Sequence, residues 1–377
     1  MTRDAPARRA TPSQFESDPG LLRSGGIGLG SFLTCGGRRE GPRKGVSARA
    51  VCAYTPGMNR PEILIPAPML PSVVDALGER FVVHRLWEQE DPDAFLATVA
   101  PRVRGLAASS LAGRIDASWY DRLPALEIVA NFGVGYDGID ADAAAARGIV
   151  VTNTPGVLDE EVADLTIGLL LATLRGIPQA DRHVRDGIWA EKSFPLSPSL
   201  RGRRIGILGL GAIGKAVARR LAAFDVPIAY HGRSRQAGIG YDYYDTPVAL
   251  AAACDVLIAI VPGGQGTQHL VDAAVLEALG AQGVFINVAR GSVVDQDALI
   301  AALQQGTILA AGLDVYEDEP NVPASLRALP NTVLLPHIGS ASKRTRAAMG
   351  GLVVDNLRAW FETGRALTPV AETPNPG

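Results

Sequence analysis

The sequence predicts an α/β protein made of two doubly wound parallel-sheet halves, each covered by helices. Three observations predict it. Short apolar, strand-like runs alternate with helix-like runs from Met58 onward. One of those strands, RRIGILGL, leads through Gly209-Leu-Gly211-Ala-Ile-Gly214 into a helix. Three polar residues, Arg290 in NVARGSVVD, Glu319 in GLDVYEDEP and His337 in LPHIGSAS, each follow an apolar run. A charged group in such a setting is costly unless it is paired or used.

The bulk properties narrow the classes. A chain of 377 residues has room for about two domains. A net charge of -3 gives no reason to expect nucleic acid as a partner. No apolar run approaches the roughly 20 residues that span a bilayer. The nearest, VADLTIGLLLATL, is too short and contains Asp164. Cys35, Cys52 and Cys254 form no CxxC or metal-ligand spacing. They point to a reducing, cytoplasmic setting without a disulfide framework or a metal. Residues 1–57 hold nine basic residues, eight arginines and Lys44, against four acidic ones, with many Gly and Ser. This head reads as a disordered extension, or as sequence ahead of a true start at Met58. Its arginines also fit an organelle transit peptide, against which Asp4, Glu16 and Asp18 argue.

In the first half, PEILIPAP, FVVHRL, RGLAASS, EIVANFG and GIVVTNTPG read as short buried strands. Helical runs lie between them, around 73–77, 95–99, 119–123 and 139–147. This alternation implies a parallel sheet. A long helix is expected over 159–175, with Asp159, Glu160 and Glu161 at the positive end of its dipole. A loop rich in Pro and Ser, GIWAEKSFPLSPSLRG, follows. The second half then runs RRIGILGL (strand), AIGKAVARRLAAF (helix), VPIAYHG (strand), TPVALAAAC (helix) and DVLIAIVP (strand). It continues through DAAVLEALG (helix), GVFINVA (strand), DQDALIAALQQG (helix), ILAAGLDV (strand) and TVLLPH (strand). Val217, Leu221 and Phe224 share one helix face, as packing on a sheet requires. A last helix, 342–362, is expected to return the chain to the first half. The expected domains are therefore 58–153 plus 346–377, and 154–345.

GxGxxG alone is a weak signal, but between a buried strand and an amphipathic helix it predicts a dinucleotide site. Gly209 would permit the tight turn, Gly211 the approach of a pyrophosphate, and Gly214 the packing of helix on strand. An NAD site usually offers an acid about 20 residues on, for the ribose hydroxyls. Here Arg233-Ser234-Arg235 stand at that strand end, and Asp225 comes too early. Guanidinium forks suit a 2′-phosphate, so NADPH is expected in preference to NADH.

Together NFGVGYDGID, TNTPGVLDEEVADLTIGLLL, LRGRRIGILGLGAIG, NVARGSVVD, GLDVYEDEP and LPHIGSAS resemble the D-2-hydroxyacid dehydrogenase family, and within it the glyoxylate/hydroxypyruvate reductases. The resemblance runs from Pro61 to about Phe361. It implies a flavodoxin-like substrate domain, a Rossmann nucleotide-binding domain, an active site in the cleft between them and a homodimer. It implies that Arg290, Glu319 and His337 are catalytic, and that Phe132, Val134 and Gly135 bind substrate with Arg290 and His337. For the cofactor it implies Gly209, Gly211, Ala212, Ile213, Gly214, Arg233, Ser234, Arg235, Val261, Pro262, Thr267, Val288, Ala289, Asp314, His337 and Gly339. Asp159 departs from the threonine common in that hinge segment. The chain carries no long extension after the last helix, which argues against phosphoglycerate dehydrogenases with a regulatory domain.

The residue types support the same chemistry. Arg290 can hold the carboxylate and polarise the carbonyl of a 2-keto acid. His337 can give a proton as hydride arrives, and Glu319 can fix its tautomer. Glu317 is the weaker choice of carboxylate. His84 and His183 read as surface or packing residues, His269 as structural, and His231 as a neighbour of the adenosine. Phe132, Trp189 and Phe194 are candidates for shaping the pocket, the last two from a partner subunit. Two alternatives stay open: a bulkier substrate such as an aryl pyruvate, and a non-enzymatic, cofactor-sensing corepressor.

Overall fold

The computed structural model describes residues 60–376. The expectations for residues 1–57 lie outside the described residues. The first sheet contains β1 (Glu62–Ile65), β2 (Val82–Arg85), β3 (Val103–Ala108), β4 (Ile128–Asn131) and β5 (Val150–Thr152), all parallel, in the order β2-β1-β3-β4-β5. The helices between them are α1 (Pro71–Arg80), α2 (Pro92–Val99), α3 (Ala117–Arg122) and α4 (Ala141–Ala145). Asp91, Asp116 and Asp140 cap α2, α3 and α4 by accepting from backbone N–H groups. Such caps satisfy donors that a helix start leaves unpaired.

The long helix α5 (Asp159–Arg175) opens with its three acids and ends at Gly176, which adopts a left-handed conformation (φ 58°). That turn starts α6 (Ile177–Arg185), a helix the sequence pattern did not reveal. Ile177, Ala180 and Val184 recur along one of its faces, but no residue of this helix is buried.

The second sheet contains β6 (Ile205–Leu208), β7 (Ile228–His231), β8 (Asp242–Tyr243), β9 (Val256–Ala259), β10 (Val284–Asn287), β11 (Ala310–Leu313) and β12 (Thr332–Leu334). They are parallel, in the order β12-β11-β10-β9-β6-β7-β8. The helices α7 (Ala212–Leu221), α8 (Pro247–Ala252), α9 (Ala273–Leu279), α10 (Gln296–Gln305) and α11 (Ala324–Arg327) connect them. The two-residue β8 is too short to carry a strand signal in the sequence. Strand residues alternate between two cores. Ile205, Ile207, Ile258 and Ile286 face α5 and α7, whereas Leu208, Leu257 and Phe285 face the other side. This period of two is what a sheet buried on both faces requires.

The last helix, α12 (Lys343–Thr363), is capped by Ser342 and packs on α1 and β4 of the first sheet. Both sheets are thus doubly wound α/β layers. In each, the strand order reverses once, between β1 and β3 and between β6 and β9. Ligands of such sheets bind outside the carboxyl ends of the strands near those points.

Candidate active site

The turn after β6 is shaped for a dinucleotide. Gly209 has φ 98°, and a Cβ there would lie 2.9 Å from Val261 Cγ1 and 3.0 Å from the Ile260 carbonyl. A Cβ on Gly214 would collide with the Gly209 carbonyl oxygen, so α7 lies directly on the turn. A Cβ on Gly211 would meet nothing within 4 Å, which leaves open space at the start of α7. No side chain caps that start. The N–H groups of Ala212 and Ile213 therefore present a ready anion site. These residues fit a pyrophosphate-bearing cofactor.

The expected cofactor residues lie along this edge. Val261 and Pro262 follow β9. The Thr267 hydroxyl donates to the Pro262 carbonyl at 2.7 Å and shapes that loop. Val288 follows β10 and, like Ile213 and Val134, packs against the cluster of Leu158, Val162 and Met349. The Ala289 N–H donates to Asn287 Oδ1 at 3.0 Å. Arg233, Ser234 and Arg235 are exposed after β7, and neither arginine has a carboxylate partner among the described residues. Gln236 holds this loop in place, its N–H on the Tyr230 hydroxyl and its side chain on the Leu210 carbonyl. His231 is engaged by the Tyr244 carbonyl (2.9 Å) and stacks on Tyr243.

The polar trio gathers at the ends of β10, β11 and β12. His337 Nδ1 lies 2.7 Å from Glu319 Oε2, and the Tyr316 N–H donates to Glu319 Oε1 at 3.1 Å. The Tyr316 hydroxyl donates to the Leu335 carbonyl at 2.9 Å, which ties the loop of Glu319 to the strand of His337. Partial burial pushes the Glu319 carboxyl up, but the hydrogen bond and charge of His337, the Tyr316 N–H and the charge of Arg290 outweigh it. Its pKa falls below the usual carboxylate value. Asp314 is buried and accepts from the Ile338 and Gly339 N–H groups at 2.7 and 2.8 Å. It therefore builds the loop that carries His337, whose own φ is 53°. Burial raises the Asp314 pKa against those two hydrogen bonds and the charge of His337.

Arg290 follows β10. A Cβ on Gly291 would collide with the Tyr316 backbone, so the Arg290 turn lies against the loop of Glu319. Its guanidinium reaches the loop after β4 of the other sheet. A Cβ on Gly135 would fall on Arg290 Nη2, and Arg290 Nε donates to Asp137 Oδ1 at 3.1 Å. In that loop the carbonyls of Gly133, Val134 and Gly135 accept from the Asn131 and Asn153 amides. The N–H groups of Val134 and Gly135 have no protein acceptor among the described residues. Phe132 starts that loop, with the Arg346 guanidinium 5.6 Å from its ring centre.

Comparisons with known proteins give the family. The model of the D-isomer specific 2-hydroxyacid dehydrogenase NAD binding domain matches residues 167–339. A hydroxyphenylpyruvate reductase from Plectranthus scutellarioides is 46% identical over 308 residues, 82% of this chain and 98% of the relative. The chain belongs to the D-isomer specific 2-hydroxyacid dehydrogenase family. A glyoxylate/hydroxypyruvate reductase A from Arabidopsis thaliana is 45% identical, again over 82% of this chain and 98% of the relative. The crystal structure of an NADPH-dependent glyoxylate/hydroxypyruvate reductase from Sinorhizobium meliloti, in complex with NADP and malonate, is 57% identical. It covers 85% of this chain and 99% of that one, with a TM-score of 0.81. The protein is an NAD(P)-dependent 2-hydroxyacid dehydrogenase.

Not every expected residue of this dehydrogenase meets the trio. Phe194 packs edge-on against His183 and lies 3.6 Å from where a Cβ on Gly176 would be. The opposite end of α5 packs near Phe132, and 17 residues of helix put about 25 Å between the two ends. Trp189 is exposed in the same segment. Glu317 turns away from His337 and pairs with His269 Nε2 at 3.0 Å. Asp137 and Arg346 escaped the sequence reading. Asp137 lies inside NFGVGYDGID, but its partner is 153 residues away.

Proposed function

We propose that this dehydrogenase is an NADPH-preferring reductase of small 2-keto acids, glyoxylate and hydroxypyruvate, and that it forms D-2-hydroxy acids. The observation that carries the reading is the 2.7 Å contact of His337 with Glu319, beside an arginine that faces uncommitted backbone N–H groups. Val134 and Gly135 would hold the substrate carboxylate through those groups. Arg290 would bridge carboxylate and carbonyl, and its charge would counter the developing alkoxide. When bound, the reduced nicotinamide supplies the hydride. Glu319 takes His337 Nδ1 and fixes the tautomer. That leaves Nε2 to deliver its proton to the carbonyl oxygen.

Arg233 and Arg235 support NADPH, because two guanidiniums with no carboxylate partner among the described residues stand where an NAD site offers an acid. The relatives that act on glyoxylate and hydroxypyruvate support the substrate class. A second reading, an aryl pyruvate substrate, is supported by the hydroxyphenylpyruvate reductase among the relatives. We further propose a homodimer. Ile177, Val184, Ile188, Trp189 and Leu196 leave an apolar surface exposed on one segment, as an interface would require. In a dimer, Trp189 or Phe194 would reach the partner's pocket.

The test is kcat/KM for glyoxylate, hydroxypyruvate, pyruvate and phenylpyruvate, each with NADPH and with NADH. The highest value is expected for glyoxylate or hydroxypyruvate with NADPH. A higher value with NADH would overturn the cofactor reading, and a clear preference for phenylpyruvate the substrate reading. Light scattering of the purified protein tests the dimer.

A further inference from the structure

We infer that Asp137 is a positioning residue for Arg290: a carboxylate carried by the first sheet grips the guanidinium of the second and aligns its fork on the substrate. The inference rests on the role proposed above for Arg290 and deepens it.

The geometry of the grip carries the argument. Arg290 Nε donates to Asp137 Oδ1 at 3.1 Å, and Nη1 donates to the Ala289 carbonyl at 2.8 Å. Nε carries a single hydrogen and lies on the side of the guanidinium. Held there, the group still offers both hydrogens of Nη2 and one of Nη1. A carboxylate on the two Nη atoms would compete with substrate, but one on Nε orients the plane and leaves those donors available. The second anchor stops rotation about the first. Arg290 is thereby fixed by one group from each sheet, and the side chain, with several rotatable bonds, is ordered before substrate arrives.

The surroundings are cut to fit the pair. Glycines stand on both sides of it, on loops of different sheets. A Cβ on Gly263, after β9, would lie 2.8 Å from Arg290 Cγ and 3.0 Å from Asp137 Cγ. A Cβ on Gly135, after β4, would lie 2.7 Å from Arg290 Cζ and 3.1 Å from Asp137 Oδ1. An incidental surface ion pair needs no such clearance, and its side chains would be free to leave. Here both side chains are about 70% buried, with 28% and 32% exposed. Because the partners belong to opposite sheets, the contact forms only when the loops after β4 and β10 are in register. Arginine alignment is thus coupled to that registration.

The test measures reduction of the best 2-keto acid by the full-length enzyme with NADPH. Asp137→Ala is expected to lower kcat/KM about 10- to 100-fold, chiefly in kcat, as displacement of a positioned group does. NADPH affinity, read by fluorescence titration, should stay within about two-fold. Asp137→Asn keeps an oxygen for the Nε–H and should recover most of the loss. The decisive readout is a double-mutant cycle with Arg290→Lys. Lysine can still pair with Asp137 as a point charge but has no fork to orient. In that background Asp137→Ala should change kcat/KM less than about two-fold. Equal losses in both backgrounds, or a matching loss of NADPH affinity, would reduce Asp137 to a structural latch and overturn the inference. Unchanged kcat/KM in Asp137→Ala would overturn it while the reading of Arg290 stands. A wild-type enzyme that reduces no 2-keto acid would overturn both.

Discussion

The two sheets meet at the same cleft with different materials. The second sheet brings side chains: Arg290, Glu319 and His337 at three successive strand ends, with Arg233 and Arg235 further along the same edge. The first sheet brings backbone: a loop in which Asn131 and Asn153 hold the carbonyls of Gly133, Val134 and Gly135, and in which the N–H groups of Val134 and Gly135 have no protein acceptor among the described residues. The same loop adds Asp137, which is paired with Arg290. The difference separates two tasks. Chemistry needs groups that carry or move charge, and in the proposed function these come from the second sheet. Recognition of a small carboxylate can be done by amides and shape, which any sequence can supply if the backbone is held.

The largest effect should come from breaking the side-chain half. His337→Ala is expected to lower kcat about 10²- to 10⁴-fold while NADPH still binds. Turnover near wild type in stopped-flow or steady-state assays would reject the proton-donor role. A comparable blow to the backbone half needs no loss of charge. Gly135→Ala places a Cβ on Arg290 Nη2, and the displaced guanidinium should cost about 100-fold in kcat/KM. If the comparison is right, its melting temperature will fall far less than its activity. Unaltered kinetics would show that the loop can yield.

The cofactor end should respond more gently and selectively. Arg233→Ala with Arg235→Ala should raise the KM for NADPH about 10- to 100-fold, the scale of a lost charge-assisted hydrogen bond. The KM for NADH should barely move, and a parallel rise would show that the arginines act on something other than the 2′-phosphate. The smallest effect is a matter of pH. The Glu319 carboxyl is held below its usual value of 4.5, so the stability it adds is present above that value. It is lost as pH falls from about 4.5 through the lower folded value. The melting-temperature gap between wild type and Glu319→Gln should therefore shrink only in that acid window. A gap that closes between pH 8 and 6 would contradict this account.

Much of this was legible in the chain. Buried strands of four residues between capped helices leave a period that can be read, and the glycine turn carries its own steric logic. Arg290, Glu319 and His337 stood out because charge at the end of an apolar strand is expensive. All three do lie at the ends of neighbouring strands. Helix α6 went unread although Ile177, Ala180 and Val184 share one face, and β8 was too short to show. Nor was the choice between Glu317 and Glu319 settled by local pattern. The structure settles the pairing: Glu319 faces His337, and Glu317 turns to His269.

The sequence by itself determined the two doubly wound sheets, the dinucleotide turn and the identity of the charged groups. These depend on local periodicity, on glycine where a Cβ cannot go, and on the cost of burying charge. Only the tertiary structure decided who holds whom. Asp137 reaches Arg290, Arg346 covers Phe132, and Asp314 braces the loop of His337 from 23 residues upstream. Such contacts join segments far apart in the chain: the meeting of the two sheets brings Asp137 to Arg290, and the packing of α12 on the first sheet brings Arg346 to Phe132.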